Sequence, residues 1–156
     1  MPERTRRTLV LGIGNLLMGD EGIGVHAVRR LEASSLPEGV DVVDGGTGGF
    51  HLLSYFEEYG SIIMIDATMD GNPPGTIRTL KPKFASDYPK TLTAHDIGLK
   101  DLVETAAILE HSPDITLITV SIETMQPMET ELSAEVASCI PDVERLVRDL
   151  LAPKSL

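Results

Sequence analysis

Apolar runs alternate with stripes of helical period along the 156 residues of this chain, the pattern of an α/β sheet joined by crossover helices. Thr8–Gly14 (TLVLGIG) predicts a buried strand, being short, β-branched and closed by glycine. Asp20 is placed to cap a helix from about Glu21 to Ala33, with Ile23, Ala27, Val28 and Leu31 on one apolar stripe. Val40–Val43 predicts a second strand, which runs into the glycine-rich loop Asp44-Gly45-Gly46-Thr47-Gly48-Gly49. A helix carrying Leu52, Leu53 and Phe56 inward comes next. The third strand, Ser61–Ile65 (SIIMI), is the most apolar and therefore central, and it ends at Asp66.

Between Asn72 and Pro89 the prolines 73, 74, 82 and 89 leave only Gly75–Leu80 as a strand, at an edge of the sheet. Thr91–Gly98 reads as a loop into a helix with Leu99, Leu102, Val103, Ala106 and Leu109 inward. Asp114–Val120 (DITLITV) is the last strand. The tail from Ser133 has a stripe through Val136, Ile140, Val143, Val147 and Leu150, which Pro141 kinks or splits. The fold class is a single twisted, mainly parallel α/β sheet, in one domain over residues 1–156, with right-handed crossovers placing helices on both faces.

Composition narrows the function. Thirteen Lys+Arg against 24 Asp+Glu give a net charge of −11, a field that repels nucleic acid and anionic membrane. No apolar run approaches the roughly 20 residues of a membrane helix. Arg6-Arg7 ahead of the first strand is not followed by an unbroken apolar stretch or a small-residue cleavage site, so it is not read as an export signal. Cys139 is the single cysteine, which excludes an internal disulfide and any multi-cysteine metal site. These features describe an acidic, cytoplasmic, single-domain protein.

Sites in open α/β sheets gather at the carboxyl ends of the strands. Glu21, Asp44 and Asp66 follow the first three strands, and His95 lies in a later loop. Two carboxylates and an imidazole in one crevice make a nitrogen/oxygen site for a divalent transition metal. Each also has a structural explanation: Glu21 complements a helix dipole, Asp66 makes an Asx-turn, and either His95 is a solvated loop residue or Asp96 is the real feature there, as an N-cap. His26, about 140° around a helix from Glu21, His51, on a solvated helical face, and His111, at a helix end, are not assigned to the site. Cys139 reads as core. Gly12-Ile13-Gly14 begins like a dinucleotide fingerprint, but Leu17 stands in place of its third glycine, and Asp20-Glu21 occupy the position where a phosphate would dock.

GIGNLLMGDEGIG at Gly12–Gly24, DGGTGG at Asp44–Gly49, MIDA at Met64–Ala67, PGTI at Pro74–Ile77 and AHDIGL at Ala94–Leu99 together resemble the nickel–iron hydrogenase maturation endopeptidases, in order through about two-thirds of the chain. Ala94 stands where that family often has proline. The resemblance implies a metal-dependent endopeptidase that removes the C-terminal extension of a hydrogenase large-subunit precursor after nickel insertion. It implies Glu21, Asp66 and His95 as metal-contacting, catalytic residues. The nickel is presented by the substrate, and the precursor is the partner. Asp44, Gly45, Gly46 and Thr47 are candidates to line the adjoining cleft and hold the substrate chain. Two other readings of the same residues are a hydrolase with a resident divalent metal acting on small peptides and a non-catalytic, flavodoxin-like binding module.

Overall fold

The computed structural model of the chain describes residues 7–47, 52–82, 87–89, 91, 104–105, 108 and 113–152. Its strands are β1 (Thr8–Gly12), β2 (Val40–Asp44), β3 (Ser61–Thr68), β4 (Ile77–Leu80) and β5 (Asp114–Ser121). They form one sheet in the order β2-β1-β3-β5-β4. β1 pairs in parallel with β2 and β3, and β3 with β5. The four apolar segments thus share one sheet with β3 at its centre. The proline-flanked segment is an edge strand, antiparallel to β5, with β2 at the other edge.

Strand alternation divides the core in two. Val10, Ile63, Ile65, Ile118 and Val120 face one side, where they pack on α1 (Ile23–Glu32), α3 (Ala134–Ala137) and α4 (Ile140–Leu151). Leu9, Leu11, Ile62, Met64 and Leu117 face the other side, against Leu52 and Phe56 of the α2 region (α2 is Leu53–Glu58) and Tyr88. Each such fully buried aliphatic or aromatic side chain contributes about 1.5–3 kcal/mol over its exposed state. Helices therefore cover both faces, as the alternation of patterns predicts.

Four local expectations are corrected. α1 begins at Ile23 rather than Glu21, because Gly19–Gly22 winds as a 3-10 turn. Asp20 does not cap α1: its N-cap is Gly22, with no side-chain cap, and the Asp20 carboxylate turns elsewhere. β3 does not stop at Ile65, because pairing with β5 continues through Asp66↔Thr119 to Thr68↔Ser121. In the tail, Val136, Val143 and Val147 are fully buried, but Leu150 is 37% exposed. Pro141 does split that stripe. It sits in the first turn of α4, where its missing N–H would have had no helical partner, while Ser133 caps α3 by accepting from the Val136 N–H. The helix expected through Leu99–Leu109 and the loop before it lie outside the described residues, apart from Thr91, Glu104, Thr105 and Ile108. Among the described residues no helix is long and apolar enough to cross a membrane.

Candidate active site

The strand order places a switch between β1 and β3. β1 leads through α1 to β2 on its one side, and β3 returns on its other side. At such a point the connections diverge and leave a crevice beyond the carboxyl ends. Of the three candidate carboxylates, Glu21 and Asp66 lie there. Glu21 is in the turn after β1, and Asp66 is near the end of β3.

The glycines of the first block bring the turn against the sheet. A Cβ on Gly24 would lie 2.3 Å from the Ile65 carbonyl oxygen and 2.4 Å from that of Ile13, and one on Gly12 would lie 2.2 Å from the carbonyl oxygen of Gly24. These distances are incompatible with any side chain, so α1 can start directly on β1 and β3 only with glycine at both positions. That close approach accounts for the glycine pattern without a dinucleotide. The Ile13 N–H donates to the Ile65 carbonyl at 2.9 Å, which ties the loop to β3 beyond the last paired residue.

Glu21 is fully buried, and its carboxylate accepts from the Asn15 N–H at 2.5 Å. Asp66 is also fully buried. One of its oxygens accepts from the Ala67 N–H at 2.8 Å, while Oδ2 has no hydrogen-bond partner among the described residues. Burial pushes the Asp66 carboxyl well above the usual carboxylate range, the Ala67 N–H opposes this, and the nearby charge of Glu21 adds to it. Two carboxyl groups thus share a water-poor corner, one of them with an oxygen open to a proton or a cation.

The Asp44–Thr47 loop adjoins this corner. The Gly45 N–H donates to the Gly12 carbonyl at 2.8 Å, and the Gly14 N–H donates to the Gly46 carbonyl at 2.6 Å. Asp44 itself is exposed: it accepts from the Gly46 N–H and faces Arg29 at 3.7 Å. The first reach of the loop is therefore fixed by its own Asx-turn, with Gly45 buried and Gly46 and Thr47 half-buried.

His95, His51 and His111 lie outside the described residues. His26 is on α1, half-buried and hydrogen-bonded to the Thr130 backbone; burial lowers its pKa, and its Nε2 has no partner among the described residues. Cys139 is buried, and burial pushes its thiol up to about 11, which makes it inert core. Among the described residues no group of three His, Cys, Asp or Glu side chains is assembled for a metal. A cleft of about 540 Å³ opens between Thr8, Val40, Ser61 and Asp114. Those residues begin the strands, so the cleft lies at the edge opposite the carboxylates. A second, of about 470 Å³, lies beyond β3 and β5 between Met69, Pro73, Pro74, Ile122 and Glu123.

Sequence reasoning missed Gln126 and Ser133, which hold the Asp20 carboxylate. No local signal marks them, because their partner is more than a hundred residues away.

Residues 25–149 match the family model described as hydrogenase maturation protease. A hydrogenase expression/formation protein HupD of Rhodobacter capsulatus is 40% identical over 134 residues, 82% of this chain and 60% of its own length. HupD of Rhizobium leguminosarum bv. viciae is 36% identical over 161 residues, 96% of this chain and 76% of its own. The solved structure of the hydrogenase maturating endopeptidase HybD from E. coli superimposes with a TM-score of 0.84 at 33% identity, over 93% of this chain and 91% of that one. The single mainly parallel sheet and these likenesses agree on one assignment: the chain belongs to the hydrogenase maturation protease family.

Proposed function

We propose that the protein is an endopeptidase that releases the C-terminal peptide of a nickel–iron hydrogenase large-subunit precursor once nickel is in place. Glu21, Asp66 and His95 engage the nickel that the substrate carries. The observation that carries this reading is the pair of fully buried carboxylates at one crevice, one with an oxygen that no donor among the described residues satisfies. A nitrogen/oxygen donor set without thiolate suits a borderline divalent ion, and three protein donors leave coordination positions for ligands from the substrate. Such a set discriminates poorly among free ions, so selectivity comes from the precursor, which presents nickel in a fixed frame. Docking then holds the scissile bond in a near-attack position, and an empty precursor lacks that orientation. Asp44 and the Gly45-Gly46-Thr47 backbone line the approach and hold the substrate chain.

The test is to incubate the protein with precursor lacking nickel, precursor loaded with nickel, and loaded precursor already shortened at its C-terminus, and to weigh the products by mass spectrometry. Only the loaded, full-length form should be cut, releasing one C-terminal peptide. Equal cleavage of the empty precursor would overturn nickel licensing. Cleavage of free small peptides with metal bound to the purified protein would favour a resident-metal hydrolase instead.

A further inference from the structure

We infer that Asp20 and Gln126 form a clasp that positions Glu21, so that the two adjacent acids of the first block divide their work: one holds the turn and the other faces the substrate. This inference rests on the function proposed above. Asp20 is 2% exposed, and each of its carboxylate oxygens accepts a hydrogen bond. Oδ1 accepts from the Ser133 N–H at 2.7 Å and Oδ2 from Gln126 Nε2 at 3.3 Å. Gln126 answers with its other end, Oε1 accepting from the Asp20 N–H at 2.8 Å. The backbone repeats the connection, with the Gly19 N–H on the Glu129 carbonyl at 2.7 Å and the Gln126 N–H on the Met18 carbonyl at 3.2 Å. The Gln126 side chain lies over Gly19, whose φ of 58° is open only to a residue free to adopt the left-handed region; a Cβ there would lie 2.2 Å from Oε1. His26 adds a further tie from α1 to the Thr130 backbone.

Glu21 is the next residue after this clasp. Its backbone is held from the Asp20 side and its carboxylate from the Asn15 side. Freedom in the turn would move the carboxylate relative to Asp66, which is held independently in the sheet. Displacing a reacting group by about 1 Å costs on the order of 10²-fold in rate, and losing a partner that orients a metal-contacting group costs about 10–100-fold in metal affinity or activity.

The reciprocal bonds allow an exchange test. D20N sets an amide NH₂ against the Gln126 NH₂, while Q126E sets two carboxylates together. The double variant D20N/Q126E restores every donor–acceptor pair with the charge moved across. Each single variant should cleave nickel-loaded precursor about 10–100-fold more slowly. In calorimetry with Ni²⁺ alone each should bind the ion more weakly by a similar factor, and its thermal unfolding should remain cooperative. The double variant should recover both readouts. Single variants at the wild-type rate, losses that only track the unfolded fraction, or a folded double variant as impaired as the singles would each overturn the clasp. E21Q separates the two readings. If it is inactive while D20N and Q126E are fully active, only the clasp falls; if it cleaves at the wild-type rate, the proposed site falls and the clasp with it.

Discussion

Replacing Asp66 by asparagine should stabilise the fold while silencing the enzyme. Asp66 is fully buried, with one oxygen on the Ala67 N–H and Oδ2 unpartnered among the described residues. Burial, helped by the Glu21 charge and opposed by the Ala67 N–H, raises its carboxyl well above the ordinary value. In the unfolded chain the same group ionises near the ordinary value. As pH rises through that value the unfolded state therefore releases a proton that the folded state keeps, and stability falls until the folded carboxyl also ionises. Asparagine removes this linkage, keeps the Ala67 bond and stays neutral at every pH. Leaving a buried carboxylate oxygen charged and unpartnered, where asparagine puts a neutral amide, costs on the order of 1–3 kcal/mol. At roughly 2–4 °C per kcal/mol for a chain of this size, D66N should melt roughly 2–12 °C higher at neutral pH. Scanning calorimetry of both proteins, with divalent ions chelated, measures the gap. It should be smallest below the ordinary aspartate pKa of about 3.9 and widen as pH rises from there toward neutrality. A D66N protein that melts below wild type at neutral pH, or a gap that does not change with pH, would refute the assignment of strain to this carboxyl. Retained processing by D66N would refute its role in the site.

Three further outcomes are expected. G24A places a Cβ 2.3 Å from one backbone oxygen and 2.4 Å from another; since backbone cannot yield as a side chain can, the urea midpoint should fall by the equivalent of about 1–3 kcal/mol, and an unchanged midpoint would contradict the close seating of α1. S133A removes the hydroxyl that caps α3 at 3.4 Å but leaves the backbone N–H that serves Asp20. It should therefore lose about 1 kcal/mol or less in thermal unfolding and keep its cleavage rate, and a folded but inactive S133A would contradict that separation. H95A should abolish release of the C-terminal peptide in the mass-spectrometric assay at little cost in melting temperature, and normal processing would remove the imidazole from the site.

The sheet was legible in the sequence because burial on two faces leaves a mark within each segment. SIIMI reads as central since both of its faces meet apolar layers, and the prolines around Ile77–Leu80 exclude it from the middle of a ladder. Pro141 marks the break between α3 and α4 for an equally local reason. The site was legible only in part. Glu21 and Asp66 were identifiable as polar residues after apolar runs, yet Asp66 lies inside β3, because the pairing that extends the strand is supplied by β5 and nothing in MIDA records it. Asp20 followed the local rule for a helix cap until tertiary contact offered it better partners, 106 and 113 residues along the chain. Propensity, periodicity and turn chemistry act over a few neighbours, so the sequence by itself determines which segments are strands and helices and which faces they bury. Which carboxylates converge, which one keeps an oxygen without a partner among the described residues and which one is consumed in holding a loop depend on strand order and loop packing, interactions whose strength is set by distance in space and not along the chain.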